Sequence, residues 1–177
     1  MTDRTITIIP IDEINFPILE YIGKCLETTF DLETTIMTRQ EIASHIPEPV
    51  YGGRYNSTNI LKFMADRIPG SAFKLLAVTT LDLYSPIFSC FFGEAQLGGT
   101  CALVSLHRLK QEFYDLPPDQ ETFLARCEKE AIHEIAHTFG LLHCSNKHCI
   151  MYPSNNIIDT DVKSNTFCPD CTCLLKI

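Results

Sequence analysis

Apolar side chains recur along this chain with two periods, and the period changes mark its elements. Thr5 to Ile11 alternates and is β-branched, which predicts a first strand. Pro17 to Thr29 carries Ile18, Tyr21, Ile22, Cys25 and Leu26 at helical spacing. A second strand is expected around Leu32 to Met37, and Pro47 to Asn56 reads as a loop. Ser57 or Thr58 is the expected cap of a helix running to about Arg67, with Ile60, Leu61 and Met64 on one face and Pro69-Gly70 ending it. Lys74 to Tyr84 reads as one buried strand. Ser89 to Phe92 and Cys101 to Leu106 read as two more, with Gly98-Gly99 near a turn. Pro117-Pro118-Asp119 opens a long helix with Asp119 as N-cap. Its stripe of Phe123, Leu124, Cys127, Ala131, Ile135 and Phe139 would pin it to a sheet. Beyond Gly140 the chain reads as loop. A βαβ-like first half followed by an antiparallel pair predicts a mixed sheet with helices against it, in the α/β (α+β) class.

Composition narrows the setting. The 177 residues favour one domain with a real core, and 45% apolar with 20% charged content is that of a soluble globular protein. No apolar run is long enough for a transmembrane helix, and the N-terminus lacks the apolar stretch of a signal peptide, so a cytoplasmic location is the expectation. A net charge of −8 argues against nucleic acid or an anionic membrane as partner. Nine cysteines in a reducing compartment point to metal ligands or core packing before disulfides. Cys25, Cys90, Cys101 and Cys127 lie in apolar segments and read as buried small hydrophobes.

The densest chemistry is His133-Glu134-Ile135-Ala136-His137, continued by Gly140 and His143. Histidines four apart on a helix project from one face, so His133 and His137 can reach one zinc ion. Gly140 tolerates the left-handed turn that would bring His143 back as third ligand. Three protein ligands leave a position for water, the arrangement of catalytic zinc. Glu134, offset from the ligands, is placed to act on that water as general base and then to protonate the leaving amine. HExxH alone is short enough to arise by chance; Gly140 and His143 give the pattern its specificity.

A second pattern begins at once. Cys144-x4-Cys149 and Cys168-x2-Cys171 offer four thiolates, the ligand set of a closed structural zinc site. It would tie the post-helix loop to the tail and steady His143, one residue from Cys144. The alternative is two unrelated clusters of buried cysteines. Cys173 could compete with Cys171, and His148 with Cys149, but both read as spectators. The expected content is two zinc ions per chain.

Taken together, these residues resemble the archaemetzincins, a branch of the metzincin zinc proteases. Cys144, Cys149, Met151, Cys168 and Cys171 fall in that family's order. Gly53 to Ser57, Thr80 to Tyr84, Phe92 to Ala95 and Ser105 to Leu109 are similar to family segments, so the likeness covers nearly the whole chain. The resemblance implies a compact metzincin-like fold: a mixed twisted sheet with flanking helices, a long active-site helix, and an irregular zinc-stapled C-terminal part. Residues 1–177 would form one catalytic domain, with an upper part to about 140 and a lower part from about 141. Met151 would form a hydrophobic floor beneath the histidines, although residue chemistry alone makes it an apolar loop residue. The strand near Phe91 to Ala95 would edge the cleft and could pair with a substrate peptide, while Phe91 and Phe92 on their own read as core.

Tyr152 could donate to an oxyanion and Glu94 could contact substrate. For Tyr152, packing or exposure is the plainer reading, and for Glu94 a salt bridge or an exposed edge-strand charge. The expected activity is therefore zinc-dependent hydrolysis of peptide or protein substrates. A deformylase-type amidase is the competing enzyme reading, disfavoured by the spacing of His143. A zinc-stabilised peptide-binding protein or a pseudo-peptidase with a blocked cleft is the non-enzyme reading. The sequence carries no signal for oligomeric state.

Overall fold

The computed structural model describes residues 4–38, 52–67, 72–85 and 92–177. Strand β1 (Ile6–Pro10) leads into α1 (Phe16–Phe30) and β2 (Thr34–Ile36). Next come β3 (Tyr55–Asn56), α2 (Ser57–Arg67), β4 (Lys74–Thr79), β5 (Leu83–Tyr84), β6 (Gly93–Ala95) and β7 (Cys101–Ser105). Helix α3 (Gln120–Thr138) precedes two short helices, α4 (Ile157–Val162) and α5 (Pro169–Leu174).

The main sheet has the order β2-β1-β4-β7-β6. Its first four strands are parallel, and β6 lies antiparallel to β7 at one edge. The two-residue alternation of the strands divides the apolar side chains between two faces. Ile6, Ile8, Leu76, Val78, Ala102 and Val104 pack in one cluster with residues of α1 and α3. Ile9, Ile11, Leu75, Ala77, Cys101 and Leu103 pack in the other with Ile60, Leu61 and Met64 of α2. The sheet is thus covered on both sides, as parallel strands require. The mixed-sheet expectation holds.

Helix α3 carries the site, and both its ends are fixed. At its start the Asp119 side chain accepts from Thr122 N–H at 3.1 Å, the expected cap. At its end Gly140 takes φ 91°, and its N–H bonds to His137 C=O at 2.9 Å. Lys74 Nζ donates to Thr138 C=O and Gly99 C=O, both at 2.7 Å, and sits over the Phe139 ring. A cation on the last carbonyls of a helix opposes their partial negative charge. Cys127, Ala131 and Ile135 of the predicted stripe are fully buried.

Five expectations need correction. The strand read over Lys74 to Tyr84 is two: the chain breaks after Thr79, where Thr79 and Thr80 hydroxyls and Thr80 N–H all bond to Asp12. After the break, β5 pairs with β3 in a separate two-stranded sheet. Helix α2 is capped by Asn56, whose side chain accepts from Asn59 N–H, while the Ser57 and Thr58 hydroxyls turn to Glu94. The tail is not all loop: Asn156 caps α4, and Pro169 sits in the first turn of α5. Cys25 is only half-buried, whereas Cys101 and Cys127 are buried as expected. The loop read at Pro47 to Asn56 ends in a strand, since Tyr55–Asn56 is β3, while its first half, Cys90, Phe91, Pro69-Gly70 and most of the strand read at Ser89 to Phe92 lie outside the described residues.

Candidate active site and metal centres

His133 and His137 stand one turn apart on α3, and the Gly140 turn returns His143 beside them. Their ring centroids are 4.6 to 5.3 Å apart. His133 Nδ1 is 2.8 Å from Ile150 C=O, and His137 Nδ1 is 2.6 Å from Leu141 C=O. A carbonyl can only accept, so each Nδ1 carries the proton and each Nε2 presents a bare lone pair. Those two Nε2 atoms nevertheless face each other at 3.1 Å. Two lone pairs hold that distance comfortably only around a cation. The spacing is close to the roughly 3.3 Å between nitrogens on a tetrahedral ion with 2.0–2.1 Å bonds. The donor set therefore fits a zinc ion.

Burial favours the same state. It drives His133 well below the ordinary imidazole range and His137 down to about 4. His143 is also lowered, by burial first and then by the Lys163 charge. All three rings stay neutral and able to ligate at neutral pH. His143 is nonetheless exposed, so the group reaches solvent.

Glu134 is 5% exposed, and burial raises its carboxyl well above the usual range, with the Glu130 charge adding to the effect. It lies against β6. The alternation of that strand puts Gly93 on the α3 face, where an added Cβ would stand 2.7 Å from Glu134 Cγ and 2.5 Å from Leu103 C=O. Only glycine leaves room for the carboxylate there.

These groups border a cavity of about 300 Å³. Phe92, Ala95, Leu97 and Leu142 give it apolar walls, and Glu94, Glu130, Ser154 and Asn155 polar ones. Phe92 is both core and cavity wall, at 3% exposure. Glu130 is buried one turn before Glu134. Its Oε1 accepts from Ser154 at 2.9 Å and Thr160 at 3.1 Å, and lies 2.9 Å from Lys163 Nζ as an ion pair. Glu94 is neither ion-paired among the described residues nor an exposed edge charge. It accepts from Ser57 at 2.6 Å and Thr58 at 3.0 Å. Tyr152 is not among the residues bordering the cavity.

The cysteine group is equally compact. Ligand atoms of Cys144, Cys149, Cys168 and Cys171 all lie within 4.8 Å of one another. Cys144 Sγ and Cys168 Sγ are 3.8 Å apart, the roughly 3.8 Å expected of thiolates on a tetrahedral zinc with bonds near 2.3 Å. Backbone N–H groups point at the sulfurs: Met151 and Cys168 at Cys149 Sγ, Asn146 at Cys144 Sγ. Such donors favour thiolates, and a backbone bond from Cys171 heads the causes that bring Cys168 down to about 7. Cys173 and His148 are exposed and belong to neither ligand group. Met151 is fully buried in the loop that joins the two groups.

The sequence reading missed Glu130 and Lys163. Glu130 stands four residues before Glu134, a spacing visible in the sequence, but its partner comes from a segment read as loop.

Comparison with known proteins agrees with this geometry. Residues 50–177 match the model of peptidase family M54. The archaemetzincin of Methanocaldococcus jannaschii is 41% identical over 94% of this chain and 89% of its own length. That of Pyrococcus furiosus is 37% identical over the same shares. Among solved structures, the archaemetzincin of Methanopyrus kandleri superposes with a TM-score of 0.84 at 30% identity, covering 98% of this chain and 94% of that one. The malonate complex of the Archaeoglobus fulgidus archaemetzincin gives 0.80 at 34%, covering 96% and 99%. Motif order, ligand geometry and relatives converge: the chain belongs to peptidase family M54, among the archaemetzincins, which are zinc metallopeptidases.

Proposed function

We propose that this protein hydrolyses peptide bonds at the histidine group, with Glu134 as the proton-transferring residue. The observation that carries the reading is the pair of Nε2 lone pairs 3.1 Å apart beside a buried carboxylate in an open cavity. His133, His137 and His143 would hold a zinc ion, which supplies Lewis acidity toward a substrate carbonyl and a water molecule. Glu134 takes a proton from the attacking water and returns it to the departing amine. Burial raises its proton affinity, which suits the second step. Gly93 gives the carboxylate its space, and Gly140 turns His143 into place.

Cys144, Cys149, Cys168 and Cys171 would hold a second, structural zinc, giving two ions per chain. Residues 1–177 then act as one catalytic domain whose lower part, from about 141, is stapled by that ion. Met151 fills the floor between the two groups. A cytoplasmic setting suits thiols that must stay reduced. The test compares wild type with Glu134→Ala on a peptide library, with zinc content measured on both. The expected result is two zinc ions in each protein and turnover in wild type alone. Equal turnover by the variant removes Glu134 from the mechanism, and no turnover by either favours a peptide-binding role.

A further inference from the structure

Three glutamates border the cleft, and their electrostatic situations differ. Glu134 stands beside the histidine group. Glu130 is neutralised by Lys163 at 2.9 Å. Glu94 has only hydroxyl partners among the described residues, Ser57 Oγ at 2.6 Å and Thr58 Oγ1 at 3.0 Å. Ser57 is fully buried, so the carboxylate is held firmly, while Glu94 itself is half-buried and borders the cavity. A carboxylate, fixed in place and with no cation partner among the described residues, stands on the α2 side of the strand that edges the cleft.

The strand register says what would meet it. Ser105 N–H bonds to Phe92 C=O, and Gln96 N–H bonds to Cys101 C=O. By the two-residue alternation of an antiparallel ladder, Glu94 shares its backbone bonds with Leu103. The N–H and C=O groups of Gly93 and Ala95 therefore point to the open edge of the sheet. A peptide pairing antiparallel with that edge would bond to Gly93 and Ala95. Its residue opposite Glu94 would fall in the closer, non-hydrogen-bonded position, about 4.5 Å away between Cα atoms. Paired residues in a ladder put their side chains on the same face, so that side chain would lie beside the Glu94 carboxylate.

We propose that Glu94 is a specificity-determining residue that selects lysine or arginine at the substrate position paired with it on β6. The proposal rests on the peptidase reading above. Opposite charges directly across a ladder attract and like charges repel, so a basic residue gains there and an acidic one loses. The chain's net charge of −8 also attracts basic peptides.

The test uses peptides carrying Lys, Gln or Glu at each of four positions around one cleavable bond. Binding is measured on zinc-loaded Glu134→Ala, with and without Glu94→Gln, and turnover on wild type and Glu94→Gln. At one position Lys should exceed Gln by about fivefold or more, with Glu weakest, and added salt should shrink the preference. Glu94→Gln should bring the Lys-to-Gln ratio close to one. A purely structural role for Glu94 would lower all peptides together and leave the ratio intact; that result overturns the proposal, as does equal or absent binding. Binding with the stated preference but no turnover in wild type would instead support the subsite and remove the peptidase reading.

Discussion

Gly93→Ala adds one methyl group to this protein, yet it should damage the site severely. The new Cβ would stand 2.7 Å from Glu134 Cγ, 2.8 Å from Glu134 Cδ and 2.5 Å from Leu103 C=O. Ordinary carbon contacts are about 3.5–4.0 Å, so something must move by roughly 1 Å. Leu103 C=O belongs to the centre of β7 and is held by the sheet; Glu134 is a side chain and gives way first. Overpacking of this kind costs about 1–3 kcal/mol, which is on the order of 2–12 °C in Tm for a chain of this size. Displacing a proton-transferring group by about 1 Å costs on the order of 100-fold in rate. The assay is kcat/KM on any cleaved peptide, with zinc content and thermal melting measured alongside. The expected variant is folded, fully zinc-loaded and about 100-fold slower. In a Glu134→Ala background the same Gly93→Ala change should destabilise less, because Cγ and Cδ are gone and only the Leu103 clash remains. Wild-type activity in Gly93→Ala, or equal destabilisation in both backgrounds, would show that Gly93 does not make room for Glu134.

Lys163→Ala leaves Glu130 buried with hydroxyl partners only, and loss of one member of a buried pair costs about 3–5 kcal/mol. Chemical denaturation should show that deficit, and Lys163→Met with Glu130→Gln should recover most of it. Protein stripped of metal at the histidines should lose stability in acid. His137 falls from 6.5 to about 4 on folding, so the folded state binds fewer protons in that window. Its contribution is present above about pH 6.5, declines as pH falls, and is gone near pH 4; a flat denaturation midpoint across this range would contradict the assignment.

What could be read from the sequence was whatever depends on near neighbours. His133 and His137 share a helix face because they are four residues apart, and Gly140 announces the turn that returns His143. The strands at Ile6, Lys74 and Cys101 show themselves by β-branched or continuous apolar runs. The break after Thr79 does not, because it is made by Asp12, 67 residues away in the chain from its Thr79 partner. Ser57 and Thr58 look like helix caps in isolation; their hydroxyls are claimed instead by Glu94, which reaches them only once β6 is laid on the sheet edge. Gly93 shows no positive φ that would mark a turn. Its requirement is the nearness of Glu134, a contact between elements about forty residues apart. Lys163, an ordinary lysine in a polar stretch, becomes a buried counter-ion because α4 packs against α3.

The cysteine group and the histidine group share one hydrogen-bonded loop, and this has a measurable consequence. His133 is oriented by Ile150 C=O, which lies between Cys149 and the buried Met151. Cys144 N–H bonds to Met151 C=O at 2.8 Å, so the segment after His143 is closed onto the same loop. That loop is anchored at Cys149 Sγ by N–H groups of Met151 and Cys168. Loss of an ion held by the cysteines would leave four clustered thiols to reprotonate and separate, releasing Ile150 C=O and the approach of His143 together. Outer-shell partners of metal-bound histidines are worth about 10–100-fold in affinity. Cys168→Ser should therefore weaken zinc at the histidines by about that factor, although Cys168 belongs to the other group. Titration with a chromophoric chelator measures it. A variant that loses one ion and holds the other with wild-type affinity would show the two centres to be independent. A variant whose remaining ion is both weaker and more easily stripped by acid would show that the thiolates hold the histidines in register.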